Sequence, residues 1–310
     1  MKKILIASTA LGALTAAAAA DVTLSGRAEM GLFDNSASDV QFFTDIDVTF
    51  TMTGETDNGL TFGASVDLDE GGAVSSATQD DSDDGGATIF ISGSFGTVTI
   101  GDTDGALDWA LTEAGNVGNA GSIADDETIH AGYLGSYLDG TQDGQILRWD
   151  NTFGDFGVAI SLEDDNGSNG EIGYAVGLRY NLELGGTTIA LGIGHQEGAS
   201  IGPSDVSATG VSATATFDNG FSAGIVYTDF DNAPADSHLG IGIGYTTGAL
   251  TLHANYGDFD AAPGFLDADG FGISAAYDLG GGAVVHFGYG DGEVGTADFQ
   301  TVSLGLGLSF

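Results

Sequence analysis

The sequence contains no cysteine, and this absence limits both its chemistry and its fold class. Disulfides, thiolate metal sites and a cysteine nucleophile are all excluded. In an exported chain, the same absence disfavours a small extracellular domain stapled by disulfides. The fold must therefore be held together by strand pairing or by an apolar core.

Positive charge is almost as scarce as cysteine. The five basic residues are Lys2, Lys3, Arg27, Arg148 and Arg179, so that three arginines stand against 45 Asp and Glu after residue 20. The resulting formal charge of that part is −42. Because such a charge repels polyanions, we expect neither nucleic acid nor an anionic lipid surface as a partner.

Long apolar runs are missing too, apart from one at the N-terminus. Lys2 and Lys3 precede the apolar stretch 4–14, and the small residues 16–20 follow it. This order predicts a secretory signal over residues 1–20, whose apolar part is too short for a membrane-spanning helix. We therefore expect an exported chain of residues 21–310 forming one domain.

The remaining sequence alternates apolar with polar or small residues. In the first run, one parity holds Leu24, Gly26, Ala28, Met30 and Leu32, and the other holds Thr23, Ser25, Arg27 and Glu29. Side chains in a strand point alternately to opposite faces, so this pattern predicts strands with one apolar and one polar face. It also explains how a mean hydropathy of +0.12 coexists with so high a charge.

The connections between these runs predict sixteen antiparallel strands. Seven are tight turns rich in Gly, Asp and Asn, at 54–59, 93–96, 154–157, 183–186, 218–220, 246–248 and 278–282. Eight are longer, at 34–39, 70–85, 102–144, 164–170, 196–205, 229–237, 257–269 and 291–297. Short turns at one end and longer loops at the other are typical of a transmembrane β-barrel. A soluble β-sandwich also alternates, but it does not need apolar, aromatic-flanked faces in nearly every strand.

The segment 102–144 is the one long stretch without a sustained period of two. Compact domains rarely carry so long a connection unless the loop has a task. We predict that this third long loop folds into the lumen of the barrel and determines what passes.

Several motifs resemble one known family. The chain ends on Phe310 after an alternating strand, opens on DVTLSGRAEMGL, and contains TFTMTGETDNGLTFGASVDL and SGSFGTVTIGDTDGA. In this order the motifs resemble the sixteen-stranded general porins of Gram-negative bacteria, of the Rhodobacter type. The resemblance implies a homotrimeric outer-membrane barrel among lipid and lipopolysaccharide, through which small hydrophilic solutes and ions diffuse passively.

The resemblance also implies a pore constriction. In these porins the third loop carries carboxylates that face a basic cluster on the wall. The loop carboxylates that the resemblance assigns to this constriction are Asp102, Asp104, Asp108, Glu113, Asp125, Asp126 and Glu127. An arginine facing lipid at mid-bilayer costs about 2–4 kcal/mol, so we expect Arg27, Arg148 and Arg179 to point into the lumen. Because three arginines are fewer than the family usually carries, we predict a preference for cations.

Sequence motifs for other chemistry are weak or absent. There is neither a G-x-S-x-G nucleophile motif nor a phosphate-binding glycine loop between a strand and a helix, so we predict no enzyme and no cofactor. The five histidines lack the spacing of a zinc site. Asp80, Asp81, Asp83 and Asp84 could hold Ca²⁺ through oxygen ligands or could form a solvated acidic loop.

Two alternatives to a general diffusion channel remain open from the sequence. One is an outer-membrane channel specific for a single substrate, which saturating flux would distinguish. The other is an acidic, calcium-binding surface β protein without a pore, which would be soluble without detergent. The apolar residues of nearly every predicted strand fall on one face of that strand, which argues against the calcium-binding surface protein.

Overall fold

The computed structural model describes residues 21–35, 38–69, 86–133, 145–164, 172–198 and 205–310. The predicted secretory signal, 1–20, and the possible calcium site at Asp80, Asp81, Asp83 and Asp84 lie outside these residues.

Sixteen strands form the architecture. They are β1 (Asp21–Asn35), β2 (Ser38–Glu55), β3 (Thr61–Asp69), β4 (Ala87–Gly93), β5 (Gly96–Gly101), β6 (Ile146–Phe153), β7 (Phe156–Asp164), β8 (Ile172–Glu183), β9 (Thr187–Gly198), β10 (Val206–Phe217), β11 (Phe221–Asp231), β12 (Ala235–Thr247), β13 (Leu250–Ala261), β14 (Ala268–Gly280), β15 (Ala283–Val294) and β16 (Ala297–Ser309). Each pairs antiparallel with its neighbours in the chain, and β1 pairs with β16, so the sheet closes. The predicted all-β, sixteen-stranded antiparallel barrel is confirmed.

The period-two pattern separates the two faces of this wall. On β16, Leu304 is 54% exposed whereas its neighbour Ser303 is 1% exposed. On β8, Val176 and Leu178 are exposed while Ala175 is buried. Large apolar side chains therefore cover the outside of the barrel, and small or polar ones face its interior, as the parity predicted.

For two of the connections between strands, the predicted length is wrong, because both are short. The strands β15 and β16 are joined by residues 295–296 alone, and β11 and β12 by residues 232–234. In β15 and β16, the alternation continues through the acidic and glycine-rich strand ends, and the two strands stay paired up to Val294 and Ala297. Gly295 has a φ of 62°, which is the backbone conformation that tight hairpin turns require.

Among the residues that the structure describes, helical structure is confined to the long loop. It comprises α1 (Ala106–Ala110) and one 3-10 turn (Ala114–Asn116) within the described part of that loop, 102–133. Among the residues that the structure describes, no helix is long and apolar enough to cross a membrane.

Candidate functional site: the long loop against the barrel wall

The long loop lies on the polar face of the sheet, inside the barrel. The amide of Ala106 donates to the Ser161 hydroxyl on β7 at 2.8 Å, and the amide of Thr112 donates to the Ser212 hydroxyl on β10 at 3.0 Å. Further contacts continue across β11 to β16 and reach β1, where Gly31 meets a loop side chain. One segment can touch the same face of so many strands of a closed barrel only from within.

Three wall histidines hold loop carbonyls. A ring nitrogen that faces a carbonyl oxygen must carry the hydrogen, so each histidine donates. The contacts are His253 Nδ1 to the Val117 oxygen at 2.9 Å, His286 Nδ1 to the Gly121 oxygen at 2.8 Å, and His238 Nε2 to the Gly132 oxygen at 3.0 Å. All three histidines are buried. In the sequence, His253 and His286 occupy the polar positions of alternating strands, but nothing there indicates their partners in the loop.

Asn255 on β13 contacts two residues of the loop and one of the wall histidines. Its side-chain amide nitrogen donates to the Glu127 carbonyl at 2.7 Å and lies 3.0 Å from Nε2 of His253. Its amide oxygen lies 2.6 Å from Nε2 of His130 in the loop. Burial lowers the pKa of His130, so this imidazole is neutral near pH 7 and donates to Asn255.

Replacing this amide should loosen the loop. In Asn255→Ala, the buried Glu127 carbonyl and His130 lose their partner, which costs about 1–3 kcal/mol. We expect faster proteolytic cleavage within residues 102–133 of the folded barrel in detergent. Asn181→Ala changes an exposed wall asparagine on β8 and should leave the cleavage rate unchanged. Equal rates for both variants would show that Asn255 does not anchor the loop.

Arg148 on β6 is tied to the beginning of the loop. Its Nη1 donates to the Asp104 carbonyl at 2.6 Å and lies 3.8 Å from the Asp104 carboxylate. Its Nε donates to Asp150 Oδ1 at 3.3 Å. The guanidinium charge is therefore balanced by two neighbouring carboxylates, one from the loop and one from its own strand.

The other two arginines have other partners, although Arg179 lies close enough to Arg148 for their charges to repel one another. Arg179 on β8 places its guanidinium 4.0 Å from the ring centre of Trp109 in α1, an attractive cation–π contact. Arg27 on β1 forms an ion pair with Glu29 on the same strand. The three arginines thus make no single basic cluster opposite the loop.

The loop carboxylates differ in their exposure. Asp102, Asp104 and Asp125 are exposed, and Asp108 and Glu113 are half-buried. Glu113 accepts a hydrogen bond of 2.5 Å from the Tyr133 hydroxyl, and burial against this carboxylate raises the pKa of that hydroxyl.

Asp126 and Glu127, two of the carboxylates that we predict at the constriction, are buried. Their residues are 0% and 1% exposed, because this turn of the loop packs its backbone onto Gly290 of β15 and Gly272 of β14. Burial, with a smaller contribution from the neighbouring carboxylates of Glu127 and Asp125, raises the pKa of Asp126 to about 6.

A second acidic group, which is not among the site residues predicted from the sequence, lies on the wall. Ligand oxygens of Asp45, Asp47 and Asp69 all lie within 4.8 Å of one another. Asp47 pairs with Asp69 across β2 and β3 and with Arg27 across β2 and β1. These side chains have the inward parity and are partly exposed. Their spacing in the sequence gives no hint of the cluster, which only the strand register brings together.

The arrangement can be compared with known proteins. The family model described as Gram-negative porin matches residues 7–297. The Porin of Rhodobacter capsulatus is 30% identical over 326 residues, covering 94% of this chain and all of that protein. A porin structure refined at 1.8 Å has 26% identity and a TM-score of 0.71, covering 94% of this chain and all of the other. A triple mutant of the Rhodopseudomonas blastica porin, at 21% identity and a TM-score of 0.68 with the same coverage, supports the fold. The chain belongs to the Gram-negative porin family.

Proposed function

We propose that this outer-membrane porin, a diffusion channel for small hydrophilic solutes and ions, prefers cations. The observation that carries the proposal is the presence of carboxylates on both sides of the lumen. Asp104 in the loop has a side chain that is 62% exposed, and Asp45, Asp47 and Asp69 line the wall of β2 and β3. Fixed negative charge in a narrow aqueous pore concentrates cations and excludes anions.

The basic side chains do not offset this charge. Arg148 is balanced by Asp104 and Asp150, and Arg27 is balanced by Glu29. Arg179 is half-buried against Trp109. The carboxylates that remain, on the loop and on the wall, outnumber the arginines and so favour a cationic counter-ion atmosphere.

The assembly that we propose is a homotrimer, embedded in outer-membrane lipid and contacting lipopolysaccharide. The resemblance to the sixteen-stranded general porins supports this assembly. A passive channel of this kind needs neither a cofactor nor catalytic residues. The alternative of a calcium-binding surface protein without a pore is set aside by the family assignment.

A channel with a specific solute site is the second candidate. A cavity of about 710 Å³ separates the end of the described loop from β15 and β16, and its lining is largely apolar. Its members include Ile129 and Tyr133 from the loop and Val294 and Phe299 from the wall. Flux that saturates with the concentration of one solute would favour this candidate, whereas flux that stays proportional to concentration favours general diffusion.

Two recordings test the proposed function. Purified protein added to a planar bilayer should produce stepwise conductance, with events grouped in threes if the homotrimer inserts as a unit. Liposome swelling should be faster in a cationic solute than in an anionic solute of the same size. Equal swelling rates, or faster entry of the anion, would contradict the cation preference while leaving the channel intact.

A further inference from the structure

At six glycines of the wall, an added Cβ would lie 2.2 Å or less from a backbone carbonyl oxygen of the described part of the long loop. We call them the seat glycines, and they are distributed over β8, β9, β12, β13, β14 and β15. The pairs are Gly177 with Ala106, Gly192 with Ala110, Gly242 with Ala114, Gly257 with Gly132, Gly272 with Glu127, and Gly290 with Asp126.

No side chain fits at these positions. A Cβ atom added to any seat glycine would lie well under 3.0 Å from the loop oxygen, closer than real Cβ atoms approach other atoms. The obstructing atom is a backbone oxygen, so rotation of a side chain cannot relieve the clash. Glycine weakens a strand interior, and its use at these points matches the close approach of a second backbone.

Hydrogen bonds beside several seat glycines prevent the loop from sliding along the wall. Next to Gly192, the Ser212 hydroxyl accepts from the Thr112 amide at 3.0 Å. Near Gly257 and Gly272, His238 and Asn255 hold the loop by its carbonyls. The loop therefore has one direction in which to yield to an added methyl group, namely away from the wall and toward the axis of the barrel.

We propose that the seat glycines set the distance of the loop from the wall and, through it, the free cross-section of the channel. The loop contacts run from β6 round to β1, whereas the inward side chains of β2 and β3 stay partly exposed. Displacing the loop toward the axis narrows the opening that faces β2 and β3. The proposal rests on the diffusion-channel function but not on its cation preference.

Strand β9 offers a matched pair of substitutions. Gly192→Ala places a methyl group against the Ala110 oxygen, whereas the nearest atom to a Cβ at Gly198, also inward-facing, is the Val206 oxygen at 3.7 Å. Because packed interiors transmit such a displacement, we expect Gly192→Ala to lower single-channel conductance about 1.5-fold. Gly198→Ala should conduct as the wild type does.

A substitution at a second seat glycine, far from the first, distinguishes an effect on the pore from a local folding defect. Gly290→Ala on β15 should also lower the single-channel conductance and the size of the largest neutral sugar that enters liposomes. Circular-dichroism spectra and unfolding midpoints should show that the barrel of this variant is intact. The sign of the reversal potential should stay that of the wild type, so that pore size and ion preference are read separately.

The outcomes decide the proposal. A fall in conductance at Gly192 and Gly290, without one at Gly198, supports it. Wild-type conductance in both seat variants, or a rise that signals release of the loop, overturns it. A reversal potential that indicates anion preference in the wild type would count against the proposed function but would leave this result standing.

Discussion

Neutralising the three wall aspartates should reduce the cation preference of the channel by roughly three- to tenfold in the K⁺/Cl⁻ permeability ratio. In Asp45→Asn/Asp47→Asn/Asp69→Asn, three carboxylates whose oxygens lie within 4.8 Å of one another become neutral. Asp47 is the register partner of Arg27, so the substitution also removes negative charge beside that arginine. Both changes shift the local potential in the positive direction, which favours anions.

The measurement is the reversal potential of the variant across a salt gradient, compared with the wild type at low ionic strength. Asp57→Asn is the matched control, because Asp57 is exposed in the turn that joins the same two strands. It should leave the permeability ratio unchanged. If the triple variant keeps the wild-type ratio, the wall cluster does not face the path of the ions and the loop carboxylates alone must act.

The buried carboxyl group of Asp126 should make the packing of the loop depend on pH. Its pKa, raised by burial to about 6, exceeds the ordinary value of 3.8. Between these values the folded protein holds a proton that the unfolded chain releases. The stabilising contribution is therefore complete below pH 4 and is lost as the pH rises through 6, with an amplitude of about 3 kcal/mol.

Asp126→Asn should abolish this dependence. The amide keeps the shape of the protonated acid, so the variant should match the wild type at pH 4 and exceed its free energy of unfolding at pH 8 by roughly 3 kcal/mol. Urea unfolding in detergent, followed by the fluorescence of Trp109 in α1, gives both values. Asp102→Asn changes an exposed carboxylate of the same loop and serves as the control. A variant no more stable than the wild type at pH 8 would contradict the role of burial.

The barrel could be predicted because its physics is local and repeated. A strand that separates lipid from water must alternate, so Leu304 and Ser303 differ in kind as well as in exposure. The long loop was recognisable by the same rule, because 102–144 loses the period of two. The predicted loop at 291–297 failed because Asp and Gly residues at a strand end resemble a turn, although they continue the ladder to Val294.

The site was less accessible to sequence reasoning, since it depends on contacts between distant segments. The seven candidate carboxylates of the loop look alike in the sequence, and only packing against β14 and β15 distinguishes the buried Asp126 and Glu127 from the exposed Asp104. The wall aspartates become a cluster only when β2 and β3 pair. His238 and its loop partner, the Gly132 carbonyl, are 106 residues apart.

The reversal potential of the wild-type channel across a KCl gradient tests the central claim most directly. The account predicts that the dilute side becomes positive, because cations cross faster than anions, and that the potential shrinks as salt screens the carboxylates. A potential of the opposite sign would contradict it. So would a value of zero at low salt, since carboxylates on both loop and wall could not then be acting on the ions.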